Sequence, residues 1–286
     1  MAILINSMNV DESYSDKLEA NLYYGSVLVP GVTCDDDFLQ GPAGGLYVHK
    51  LSTAAVTPVK PGRDFEDVES GDDLLQITLN NCFQRSRKLY SVQAAAVGAS
   101  LKDANLAAAQ AEVREGWMLS GLACLCREGT VLKDTAASTV DNCIEQVVDA
   151  RMEIISDKGT ADVVLCSPAF YAKVLKRAGK EFLPSLNEKI RGTANVGTYL
   201  GMLWVEANAM TEQAARYYDY AGTLNTVDLS GFDFVVYNHH TLSVVSNVEM
   251  ARLVDSESFN GCKAQVEQNT GYRVRQSALA RVHKAS

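Results

Sequence analysis

Alternation of apolar and polar positions marks the first extended stretch of the chain. In LLQITLNNCF, residues 74–83, Leu75, Ile77, Leu79 and Asn81 fall on one side and Gln76, Thr78 and Asn80 on the other. Period two predicts a half-buried strand. Upstream, LYVHKLSTAAV (46–56) is rich in β-branched and aromatic residues, and Pro58, Pro61, Gly62 and Gly71 break the chain between the two runs. Residues 46–90 therefore predict a long two-stranded hairpin, each strand of about 10 residues reaching roughly 30 Å. A lone hairpin is marginal in water. It needs a surface to lie on, either its own domain or a neighbour.

A helical period follows over residues 98–127. Leu101, Ala104, Ala108, Ala111, Met118, Leu119, Leu122 and Leu125 or Cys126 form one stripe. Leu106, Val113, Trp117, Gly121 and Cys124 form a second. Apolar groups on more than one face predict burial on more than one side, and thirty residues give about 45 Å. A second helix is expected over 139–157, with Val140, Ile144, Val147, Val148 and Ile155 inward. Val163, Val164 and Leu165 then read as a buried strand, Ser167 as an N-cap, Pro168 as the first helical residue and Gly179 as the stop. Residues 180–198 read as loop. Strands are expected at 198–208 and 232–238, and several more in 241–286, where no proline interrupts pairing.

Residues 1–45 read as an arm. Seven carboxylates between Asp11 and Asp37 face a single Lys17, and GPAGG (41–45) ends the segment. The whole chain of 286 residues carries 47% hydrophobic and 21% charged residues, a globular balance. No run is long and apolar enough to predict a spanning helix, and no leader pattern is expected at the start. Net charge is −9, so nucleic acid is not expected to be gripped by bulk electrostatics, although it could be enclosed. The seven cysteines are scattered and odd in number, which favours free buried thiols over a disulfide framework.

Motifs that carry chemistry are missing: GxSxG, HExxH, CxxC, SxxK, GxGxxG and GxxxxGK[ST] do not occur. GTANVGT (192–198) lacks the lysine of a phosphate loop. His239 and His240 end an apolar run and read as surface histidines at a strand end or turn; on a strand their rings would point to opposite faces, which argues against a shared metal. Cys124 and Cys126 sit at i and i+2 on a helix, which suits core packing rather than a shared metal. Asp35–Asp37 lack the alternation of a calcium loop and read as a solvated acidic turn. No catalytic residue, cofactor site or metal site is assigned, and the chain is expected not to be an enzyme.

The order of parts resembles the major capsid (coat) proteins of tailed double-stranded DNA bacteriophages, over nearly the whole chain. Val164-Leu165-Cys166-Ser167-Pro168 and its following helix resemble the strand–Ser–Pro–helix step of that family's axial domain. YLGMLWVEAN (199–208) is similar to the strand after its variable loop, and Gly271-Tyr272-Arg273-Val274-Arg275 with ALARVH resembles its terminal strand pair. The resemblance implies an α+β phage-capsid-type fold: an N-terminal arm (1–45), an extended loop (46–90), a peripheral domain with a long spine helix (91–134), an axial domain (135–245) and a return to the peripheral domain (246–286). It implies pentamers and hexamers of the chain in an icosahedral shell around double-stranded DNA, with no sequence-specific binding and no membrane. It also implies a separate scaffolding protein, a portal and decoration proteins, a virion location, and assembly in the host cytoplasm. No Asn or Glu can be matched to the family's cross-linking motif beside Lys50 or Lys60. The inter-subunit contacts expected are Lys60, Arg63, Asp64, Glu66 and Asp67 at the loop tip and Arg85, Arg87 and Lys88 at the base of the returning strand. The alternatives are a protein compartment of the same fold and an α/β enzyme of unrecognised chemistry.

Overall fold

The structure is a computed structural model and describes residues 28, 33, 46–51, 72–90, 100–178, 183–184 and 196–284. The arm, Leu28 and Thr33 excepted, and the loop tip lie outside the described residues. Strands β1 (Leu46–Leu51) and β2 (Asp72–Ile77) pair antiparallel with Leu46 opposite Ile77. Strand β3 (Asn81–Tyr90) and the long helix α1 (Ser100–Glu128) follow, then β4 (Thr130–Val131), α2 (Cys143–Ser156), β5 (Val163–Cys166) and α3 (Pro168–Ala178). The second half is built of β6 (Leu183–Pro184), β7 (Val196–Tyr199), β8 (Met202–Glu206), β9 (Ala215–Tyr218), β10 (Leu224–Val227) and β11 (Phe232–Tyr237). It ends in β12 (Leu242–Asp255), β13 (Gly261–Val274) and β14 (Ala280–Lys284).

Seven strands form one sheet in the order β4-β14-β11-β5-β8-β7-β6. Its central strands are apolar without alternation because both faces are covered. Val163, Leu165, Val205, Val235 and Val282 point to the face that packs on the C-terminal half of α1, against Leu122, Cys124, Leu125 and Cys126. Val164, Cys166, Trp204, Phe234 and Val236 point to the other face, under α2 and α3, with Val147, Ile154, Phe170 and Val174. Three strands form a second sheet in the order β12-β13-β3. On β13 Cys262, Ala264, Val266, Gln268 and Thr270 are buried in strict alternation. Val266 meets Ala109 and Val113 of the N-terminal half of α1. One helix therefore roofs two sheets.

This double duty settles which stripe of α1 is buried. Towards its N-terminus the narrow three-stranded sheet takes Ala109 and Val113, and Ala111 of the expected first stripe is exposed. From Ser120 to Cys126 every residue is buried. Cys124 and Cys126 are core residues, and burial alone pushes the Cys126 thiol up to about 12.

Other expectations need correction. Residues 81–90 do not return along the hairpin: they leave it and join β13, with Cys82 opposite Asn269 and Leu89 opposite Cys262. The cause is the break at 78–80, beyond which Phe83 packs on the helix core. The single strand expected at 198–208 is a tight hairpin of β7 and β8, turning at Leu200 (φ 54°) and Gly201 (φ 72°). Two positive φ values in a two-residue loop match the twist of the flanking strands. Helix α2 buries Cys143, Gln146, Val147, Ala150 and Ile154, whereas Val140, Val148 and Ile155 are 36%, 37% and 45% exposed. The C-terminal strand β14, expected among the returning peripheral strands, lies in the larger sheet between β4 and β11. His239 and His240 sit in a turn, as expected, but their rings do not diverge: the ring centroids are 3.8 Å apart. The Nδ1 of His239 contacts Asp162 Oδ2.

Strand β14 explains its own obscurity in sequence. Ala280 and Val282 face α1, while Arg281 and His283 face α2 and are also buried. The guanidinium of Arg281 donates to Glu153 Oε2 of α2 (2.9 Å), to Asp157 at the C-terminal cap of that helix and to the carbonyl of Ala278 (2.9 Å). His283 stacks on Phe234 at 4.9 Å, with Nδ1 3.3 Å from Asp233 Oδ2 and Nε2 3.2 Å from the carbonyl of Ala136. Ser138 Oγ lies 2.7 Å from the same carboxylate, and Lys173 Nζ donates to the Ser138 carbonyl at 2.9 Å. Burial pushes the Asp233 carboxyl up, but the hydrogen bonds from His283 and Ser138 and the charge of Lys173 outweigh it and hold it below its usual range. A depressed carboxylate stabilises the fold above its unfolded value, about 3.9, and that share is lost as pH falls towards the folded value. Thermal melts between about pH 7 and pH 2.5 should show the parent losing stability below about pH 4. Asp233→Asn should be less stable at neutral pH and lose less over that interval.

Candidate assembly interface

Strands β1 and β2 form a two-stranded sheet of their own, separate from the two larger sheets, and the root of this hairpin is fixed by polar side chains. Residues 78–80 cross from the hairpin to β3 and press against the turn between β9 and β10. Thr78 Oγ1 donates to the carbonyl of Tyr220 (2.9 Å), and Asn80 Nδ2 to the carbonyl of Asp219 (2.8 Å). Asn81 is 4% exposed; its amide donates to the Tyr218 carbonyl (2.9 Å) and accepts from the Tyr218 N–H (2.8 Å). One side chain thus imitates a strand partner for β9. The turn is rigid from within. Asp219 Oδ1 accepts from the N–H groups of Ala221 (3.0 Å) and Thr223 (2.8 Å). The guanidinium of Arg273 lies 3.8 Å from the centre of the Tyr220 ring. Burial works against the Asp219 carboxylate, and the hydrogen bonds from Thr223, Asn225 and Ala221 lower it nonetheless.

The root also needs a glycine. A Cβ on Gly271 would stand 2.4 Å from the Thr78 carbonyl oxygen and 3.2 Å from Ile77 Cγ2. Ile77, 1% exposed, closes the end of β2 against that strand. Beneath, Ser120 of α1 donates to the carbonyl of Arg216 on β9 at 2.7 Å. Hairpin, turn and long helix are one connected unit.

The expected contact residues separate into three groups. Lys60, Arg63, Asp64, Glu66 and Asp67 lie outside the described residues. Arg85 and Arg87, on β3, face α1, and both guanidiniums contact Glu112. Burial raises the Glu112 carboxyl, and the hydrogen bond and charge of Arg87 and then Arg85 bring it below its usual range. Lys88 points to the opposite face, where its ammonium lies 5.8 Å from the Phe259 ring. The β9–β10 hairpin was absent from the sequence expectations. Its signal was there, in the alternation of buried Ala215 and Tyr217 and of Asn225 and Val227 about the turn at Gly222. Among the described residues no group of three or more His, Cys, Asp or Glu side chains is placed to hold a metal ion, and no described helix is long and apolar enough to cross a membrane.

Removing the partner of a buried polar group costs about 1–3 kcal/mol. Asn81→Ala, which strands both backbone groups of Tyr218, should lower unfolding stability by that amount. Gly271→Ala, which meets backbone rather than a movable side chain, should cost at least as much. Denaturant melts of both variants check this.

No family model and no curated protein matches the chain. Solved structures do. The capsid of cyanophage P-SCSP1u superposes with a TM-score of 0.69 at 10% identity, covering 96% of this chain and 92% of that one. A chain of Mycobacterium phage Che8 gives 0.67 at 16% identity, covering 95% and 96%. The mature capsid of bacteriophage PhiM1 gives 0.65 at 14% identity, covering 96% and 91%. With nearly the full length of each chain aligned, the fold of this protein is that of phage capsid proteins.

Proposed function

We propose that the chain is a major capsid protein that self-assembles into an icosahedral shell enclosing double-stranded DNA. The observation that carries the reading is the end-to-end likeness to phage capsid chains, with more than nine tenths of both chains aligned. The physical design supports it. An extended hairpin rooted by three polar side chains is a device for reaching beyond one's own core, and repeated copies bury large areas through such elements. A net charge of −9 suits a container that holds DNA without binding it tightly. Pentamers and hexamers of this chain build the shell in the host cytoplasm, with a scaffolding protein and a portal, and decoration proteins bind the finished virion. No catalytic step is part of this role.

Size exclusion with light scattering, followed by negative-stain imaging of the large fraction, tests the proposal. The purified chain, alone or with an extract containing its scaffold, should give closed round particles or discrete rings of five or six. Deleting residues 52–70 should abolish them while the remaining core still melts cooperatively. A monomer or dimer at every concentration would overturn the reading, and particles filled with protein cargo would turn it towards a compartment shell.

A further inference from the structure

The C-terminal end of α1 meets the turn that roots the hairpin at a cluster of opposed charges. Glu128, the last residue of α1, is partly buried, and its Oε2 accepts from the N–H of Val274 at 3.2 Å. The titratable and charged groups around it are Cys124 and Arg127 on α1, Arg273 on β13, and Tyr217 and Asp219 on β9 and its turn. Arg273 is the pivot. Its charge acts on both Glu128 and Asp219. Its guanidinium lies 3.8 Å from the centre of the Tyr220 ring, yet among the described residues it forms no ion pair and its buried Nε–H has no partner. One cation thus serves two carboxylates, on two different elements, and is committed to neither.

The two carboxylates are not alike. Asp219 accepts from the N–H groups of Ala221 (3.0 Å) and Thr223 (2.8 Å) and from Nδ2 of Asn225 (3.2 Å). Burial opposes its charge, but donors to a carboxylate favour the ionised form, and these hold it below its usual range. Glu128 has only the Val274 N–H and the weak Cys124 thiol. Burial raises its carboxyl, the charge of Asp219 adds to that, and the nearby donors and Arg273 do not cancel it. Burial also raises the Cys124 thiol and the Tyr217 hydroxyl, so Glu128 is the member of the cluster that changes charge above the usual carboxylate range. We propose that Arg273 is a latch with two positions, stacked on Tyr220 while Glu128 is protonated and paired with Glu128 once that side chain ionises. In the first position the guanidinium clamps the turn, with Asp219 as counter-ion. In the second its Nε–H gains an acceptor and the turn loses the clamp. Thr78 and Asn80 hold the carbonyls of this same turn. The hairpin root is therefore firm in acid and looser near neutrality. The latch belongs to the single chain and does not depend on the shell reading.

Hydrogen exchange read by mass spectrometry on the full-length protein tests the latch, at about pH 4 and about pH 7.5, on the turn amides of Ala221 and Thr223. Chains are compared at one pH, so the intrinsic pH dependence of exchange cancels. Glu128→Gln keeps an acceptor for the Val274 N–H but cannot ionise. It should match the parent in acid and exchange more slowly at the higher pH, by up to about tenfold for each unit by which the carboxyl is raised. Its melting temperature should exceed the parent's by a margin that grows with pH. A raised carboxyl stabilises the fold below its unfolded value, about 4.3, and that share is lost as pH rises through the folded value. Tyr220→Leu, which removes the ring, should speed exchange in acid and match the parent at the higher pH. Equal exchange of parent and Glu128→Gln at both pH values, or a difference of the same size at both, overturns the latch. If Glu128→Gln does not fold, Tyr220→Leu decides alone, and a loss of the ring felt equally at both pH values overturns it.

Discussion

Everything in this fold hangs from the packing of α1 on two sheets at once. Its N-terminal half closes the three-stranded sheet through Ala109 and Val113, and its C-terminal half closes the seven-stranded sheet through Leu122, Leu125 and their neighbours. Intrinsic preference does not dictate this. Gly116 and Gly121 cost about 1 kcal/mol each in a helix interior, yet each admits a neighbour, Phe83 at the first and Leu28 and Tyr272 at the second. Burying a single leucine contributes about 1.5–3 kcal/mol, so the contacts outweigh the propensity. A helix of 29 residues, about 44 Å long, then fixes the distance between the hairpin root and the larger sheet.

Buried polar groups fix the joints that apolar packing leaves loose. Hydrophobic contact holds strands together but does not choose their partners well. At β14 the choice is made by Arg281 with Glu153 and Asp157, and by His283 with Asp233. At the hairpin root it is made by Asn81 with Tyr218. Such groups add little net energy when satisfied and cost several kcal/mol when one partner is lost. Wrong pairings of these strands are therefore penalised more than the correct ones are rewarded.

The legibility of the sequence follows from this division. Helix α1, helix α3 with its Ser167 cap, and strands β5 and β11 were readable because apolar period, cap residue and burial agree there. Ser167 Oγ does accept from the Phe170 N–H, at 3.3 Å. The departure of β3 from the hairpin was not readable. Period two continues through Asn81, and only the contacts of Thr78 and Asn80 with a turn 139–142 residues away end the hairpin there. Burial of Gln146, Arg281 and His283 was hidden for the same reason, since polar residues read as surface until their partners are known. Of the expected contact residues, Arg85, Arg87 and Lys88 were found together as a charged run, but alternation along a strand splits them. Two turn inward to Glu112 and one outward to Phe259.

The same sheet raises the problem of its own edges. Strands β12 and β3 border it, each with one side unpaired among the described residues. A long flat edge invites pairing with another copy, and an unclosed repeat of that pairing is a fibre. Strand β12 counters this with a register shift between Asn247 and Met250, which twists the edge, and with the exposed charge of Arg252. Strand β3 carries the charges of Arg85, Arg87 and Lys88 along its length. Backbone pairing at the edges is thus discouraged, while side-chain contact across the sheet face is left open. Association of copies is thereby steered away from strand addition and towards contacts whose angle the side chains set, and under the proposed function such contacts are what closing a shell requires.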